Sequence, residues 1–95
     1  MTAANLSVSP EVKALLPDAL INYIWQLTLS DECQASENQT FTLEPKELGG
    51  RGVQDILHSC KRENFQQLRR VFGVEPVRCN LKVIKTQGSY EMLLY

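Results

Sequence analysis

The sequence predicts an α+β fold: a small antiparallel sheet of about four strands packed against an N-terminal helix and a second helix. Three observations carry this expectation. Val77, Cys79, Leu81 and Val83 alternate with Arg78, Asn80 and Lys82, the period of two of a strand with one buried face. A polar stretch around Gly88, Lys85 to Ser89, then leads into a second β-prone run from Tyr90 to Met92-Leu93-Leu94-Tyr95, making a closing hairpin. Upstream, Leu20, Ile24 and Leu27 recur at helical spacing, flanked by Ile21 and Trp25, while Asp18, Asn22 and Gln26 face away.

In chain order, residues 1–8 read as a flexible N-terminus and 9–95 as a single α+β domain. Ser9-Pro10-Glu11 has a serine cap and a proline at the first helical position. Pro17 biases Leu16 away from helical geometry, so a short helix near 10–15 should precede the main one, from Pro17 to about Leu29. Ser30 to Asn38 is a polar acidic loop. Gln39 to Glu44 reads as a strand with Phe41 and Leu43 on one face and Thr40 and Thr42 on the other, stopped or left at an edge by Pro45. The glycines in Glu47-Leu-Gly-Gly-Arg-Gly52 mark a loop, after which Val53 to Ser59 forms the second strand of a hairpin. Phe65, Leu68 and Phe72, with Val71 beside them, have helical spacing and good helix formers between, so a second helix is expected over 62–72, ending at Gly73.

Ninety-five residues make one domain, which buries roughly 60–65% of its unfolded surface and has room for one modest core. With 43% hydrophobic and 22% charged residues, the chain has none of the apolar depletion that marks disorder. No apolar run is long enough to span a bilayer, and the opening Met1-Thr-Ala-Ala-Asn-Leu lacks a basic n-region, so a cytoplasmic protein away from membranes is expected. Cys33, Cys60 and Cys79 are odd in number and irregularly spaced, and read as reduced and structural.

No catalytic, metal or cofactor signature stands out. His58 is the only histidine, so an enzyme centred on it is a remote alternative; on a strand it shares a face with Cys60, and two soft ligands fall short of a zinc site. Gly49-Gly50-Arg51-Gly52 lacks the lysine and following helix of a phosphate cradle. Charge is divided: residues 1–50 sum to −5 and residues 51–95 to +4. The basic set of Lys61, Arg62, Arg69, Arg70, Arg78, Lys82 and Lys85 makes nucleic-acid binding an alternative, although a pI near 5.8 is far below that of most such domains. The leading expectation is a non-enzymatic protein-interaction module with an unidentified protein partner, self-association included. Arg69, Arg70, Arg78 and Lys82 are its candidate binding residues.

Taken in order, Leu16-Pro17 entering a helix with Trp25-Gln26-Leu27, then Gln39-Thr-Phe41-Thr-Leu43-Glu44, Ile56-Leu57-His58, Pro76-Val77, Leu81-Lys-Val83-Ile84 and Met92-Leu93-Leu94 resemble a small bacterial family. It is catalogued as domain of unknown function nine hundred and sixty. The likeness covers Leu16 to Leu94 and implies a small α+β domain with no assigned activity. Lys85-Thr86 stands where the family pattern has acids, and the family's acidic tail lies beyond the position of Tyr95. The family pattern also reads as strand over Phe65 to Phe72, which leaves strand open beside helix there.

Overall fold

The computed structural model describes residues 5–30, 33, 36–60 and 65–95. Among these, β1 (Asn5–Val8), α1 (Pro10–Leu15), α2 (Asp18–Thr28), β2 (Asn38–Leu48), β3 (Arg51–Cys60), β4 (Phe65–Val71), β5 (Cys79–Thr86) and β6 (Ser89–Leu94) follow in order. The strands form one mixed sheet, β1-β6-β5-β2-β3-β4, in which β1 runs parallel to β6 and all other pairs are antiparallel. This corrects the expected sheet of about four antiparallel strands with a second helix late in the chain. The sheet has six strands, it is mixed, and both helices precede β2.

Of the second helix expected over 62–72, Phe65–Val71 is strand β4, and 62–64 lie outside the described residues. The 3-and-4 spacing of Phe65, Leu68 and Phe72 imitates a helix, but all seven residues of β4 pair with β3, from Cys60↔Phe65 to Gln54↔Val71. Pairing along β3 holds the segment on the sheet, and tertiary pairing overrides a weak propensity. Phe72 is consequently 65% exposed rather than core. Asn5–Val8, within the segment read as flexible, forms β1 with Leu6 opposite Tyr90 and Val8 opposite Met92.

The helices begin and end for local reasons. Ser9 Oγ accepts a hydrogen bond from the Val12 N–H (3.3 Å), and Leu16 is extended ahead of Pro17. The β2–β3 hairpin closes on Gly49 and Gly50, both at positive φ (57° and 80°), the backbone of a tight two-residue turn that matches strand twist. β2 continues through Pro45 because its pairing to β5 stops at Leu43, leaving only β3 as neighbour from Glu44 onward. The connection from β4 to β5 is pinned by buried Gln54, whose Oε1 accepts from the Val77 N–H (2.7 Å) and whose Nε2 donates to the Val77 carbonyl (3.1 Å).

Alternation places Phe41, Leu43, Ile56, Leu81, Val83, Tyr90 and Met92 on one face of the sheet. Against them pack Val12, Leu16, Leu20, Ile21, Ile24, Trp25 and Leu27 from α1, α2 and the turn between. The core is therefore a single layer between the helices and this face.

Candidate functional site

With both helices on one side, the opposite face of the sheet carries no described element over it. Residues one position out of phase with the core stand there: Thr40 and Thr42 of β2, Leu57 and Ser59 of β3, Leu68 and Arg70 of β4, Asn80 and Lys82 of β5, and Leu93 of β6. Thr40, Thr42, Ser59, Asn80, Lys82 and Tyr95 line a groove of about 680 Å³ on this face. Its floor sets the hydroxyls of Thr40, Thr42 and Ser59 and the amides of Asn38 and Asn80 beside apolar surface that includes Phe41 and Leu81. Its wall is Tyr95, 74% exposed, held by a Tyr95 N–H to Asn80 carbonyl bond of 2.8 Å and with the Lys82 ammonium 5.6 Å from its ring centroid. A second depression of about 320 Å³ continues toward β4 over Thr42, Glu44, Lys46, Asp55, Leu57 and Leu68.

The four candidate binding residues do not gather into one patch. Arg69 and Arg70, neighbours on one polar side of the expected helix, point to opposite faces once the segment is a strand. Arg70 Nε and Nη2 clasp the Asp55 carboxylate at 2.7 and 3.1 Å. The hydrogen bond from Arg70 holds the Asp55 carboxyl below its ordinary value, outweighing the opposing push of burial. Arg69 lies on the helix-bearing face and donates to Gln67 Oε1 at 2.8 Å. Arg78 sits 3.9 Å from Glu44 Oε2, which also meets Lys46 at 3.7 Å. Lys82 alone lines the groove, three strands away from Arg70, at least about 14 Å at ordinary strand spacing. Lys61 and Arg62 lie outside the described residues.

His58 is 2% exposed, stacked on Phe41 (centroids 4.3 Å apart) and meeting Phe65 edge-on (5.4 Å). Gln39 Nε2 donates to the carbonyls of Thr28 (3.0 Å) and Cys33 (2.9 Å), so its Oε1 is an acceptor, and the 2.7 Å contact to His58 Nε2 requires the proton on Nε2. Burial pushes the imidazole down to about 4, with Arg69 adding to it, so the ring is neutral near pH 7. Beside it Cys33 and Cys60 form a disulfide, which corrects the reading of these cysteines as reduced. The chain between α2 and β2 brings residues 27 apart in sequence to a Cα separation of 6.2 Å. Donor atoms of Cys33, His58 and Cys60 lie within 4.8 Å of one another, but the sulfurs are bonded to each other and Nε2 is protonated, so the trio as arranged is a buried staple. Cys79 is a free, half-buried thiol, raised by burial away from the reactive thiolate.

Alternation alone placed Thr40, Thr42, Asn80 and Lys82 away from the core; what it could not supply was that no helix returns to cover them. Tyr95 closes an apolar run, and a local pattern does not show that its ring stands out at 74% exposure. No helix among the described residues is long and apolar enough to cross a membrane. No family model matches the chain, and neither a curated protein nor a solved structure matches it.

Proposed function

We propose that the protein is a non-enzymatic protein-interaction module that takes an extended, acidic segment of a partner protein along the uncovered face of its sheet. The observation that carries this reading is the groove over Thr40, Thr42, Ser59, Asn80, Lys82 and Tyr95. Its lining supplies hydroxyl and amide groups for a peptide backbone, an aromatic wall for apolar contact, and a single formal charge, the Lys82 ammonium, to complement a carboxylate. An enzyme centred on His58 is less well supported, since that ring is buried with Nε2 committed to Gln39. Nucleic acid fits less well too: of the four candidate basic residues, Arg70 and Arg78 face carboxylates of their own chain and Arg69 lies on the other face.

Affinity capture from the native cell tests the reading, with Lys82→Glu compared against the unchanged protein. A partner whose capture fails with Lys82→Glu, and weakens as salt is raised, supports it. A partner captured equally well by both rules the groove out.

A further inference from the structure

The outer edge of β4 has no strand beside it among the described residues, although β4 is seven residues long. Exposed edges are commonly guarded by free charges. Here Arg70 is drawn onto the neighbouring strand by Asp55, while exposed Arg69 bonds the Gln67 amide of its own strand. Besides the arginines the strand carries Leu68 at 56% exposure, half-buried Phe65 and Val71 at its two ends, and the amides of Gln66 and Gln67.

We propose that β4 pairs antiparallel with β4 of a second copy of this chain, about a two-fold axis passing through Leu68. A two-fold axis is the commonest symmetry of homo-oligomers, and it requires a surface complementary to itself. In the register centred on Leu68, Phe65 stands opposite Val71 of the second copy, Gln66 opposite Arg70, Gln67 opposite Arg69, and Leu68 opposite itself. Every cross-strand pair is then apolar with apolar or amide with guanidinium, and no two like charges face each other. An axis on Arg69 sets that residue against its own copy, an axis on Arg70 does the same for Arg70, and an axis on Gln67 sets Phe65 against Arg69, so of these registers only the one on Leu68 pairs apolar with apolar and leaves no arginine facing an arginine. Phe65 and Val71 share the helix-bearing face, so their contact extends the core side of the sheet, while the Leu68 pair lies on the uncovered face. The proposal is independent of what occupies the groove over β2 and β5.

Light scattering on the full chain over a range of concentrations tests it, together with two variants. The expected result is a dimer for the unchanged protein and a monomer for Leu68→Lys, which sets two ammonium groups against each other on the axis. Leu68 is exposed, so the far-ultraviolet circular dichroism of Leu68→Lys should match that of the unchanged chain. In Leu68→Cys, Cys79→Ser, mild oxidation should link the two copies through residue 68, read as a doubled mass on a non-reducing gel. A monomer at every concentration, or a dimer that Leu68→Lys leaves intact, overturns the proposal, and a dimer that residue 68 fails to cross-link overturns its register.

Discussion

Phe41 and Thr42 are adjacent in β2 and belong to opposite worlds. Phe41 is fully buried under α2 and stacked on His58, whereas Thr42 is half-buried in a groove that no described element covers. The two faces of this sheet therefore divide the work. One is packed by helices, satisfied by buried hydrogen bonds from Gln39 and Gln54, and stapled by a disulfide. The other is grooved and has no described helix on it, with Val53 and Asp55 buried but Thr42, Ser59, Asn80 and Lys82 at positions where a small domain can change residues without losing its fold. The lesson is that in a one-layer core, stability and recognition can be separated by single-residue alternation along a strand.

Truncation on the two faces should break the symmetry most strongly. Phe41→Ala removes a fully buried ring and is expected to destabilise by about 3–5 kcal/mol, while Thr42→Ala should stay within about 0.5 kcal/mol. Urea unfolding followed by tryptophan fluorescence of buried Trp25 reads both. Comparable losses at the two positions would mean that the uncovered face is also structural.

The staple belongs to the packed face, and opening it comes next in size. Closing a 27-residue separation limits the unfolded chain by about 3.5 kcal/mol on chain-entropy grounds, so the urea midpoint in dithiothreitol should fall markedly. A midpoint indifferent to reductant, with two thiols free to alkylation in the native protein, would contradict the disulfide.

A smaller effect follows from the buried imidazole. An unfolded histidine gains its proton below about 6.5, whereas folded His58 resists protonation down to about 4. Acid therefore favours the unfolded chain: the contribution is fully present above pH 6.5 and is lost progressively as pH falls toward 4. Asp55 acts in the same direction in a lower window, as pH falls below its unfolded value of 3.8. Urea midpoints across pH 4–7 should slope downward into acid for the unchanged protein and flatten in His58→Phe. An equal slope in both would place the sensitivity elsewhere.

The packed face was the more legible of the two in the sequence. α1, α2 and the apolar positions of β2 and β5 announce themselves through Ser9-Pro10, Leu16-Pro17 and strict alternation at Phe41, Leu43, Leu81 and Val83. β4 did not, because an edge strand buries little and its sequence is set by water on most sides; Gln66, Arg69 and Arg70 carry no period of two. β1 is four residues long and paired only through β6, a contact spanning almost the whole chain, which local pattern cannot register. A separation of 27 residues hides the Cys33–Cys60 bond, and the Gln39–His58 pair depends on the register of the β2–β3 hairpin, which local pattern does not fix. As for the groove, the polar residues of its floor could be assigned to the wet face, but its emptiness is a property of topology. Arg69 and Arg70 show the cost of one wrong element: a helix sets them side by side, and a strand sends them to opposite faces.

The division between the faces is tested most directly by Thr42→Arg, which fills the groove without touching the core. Partner capture and the urea midpoint should be measured on the same preparation. Capture is expected to be lost while the midpoint stays within about 0.5 kcal/mol of the unchanged protein, the usual range for a surface substitution. Capture that persists with the groove filled would contradict the account, because the partner would then be held by some other surface.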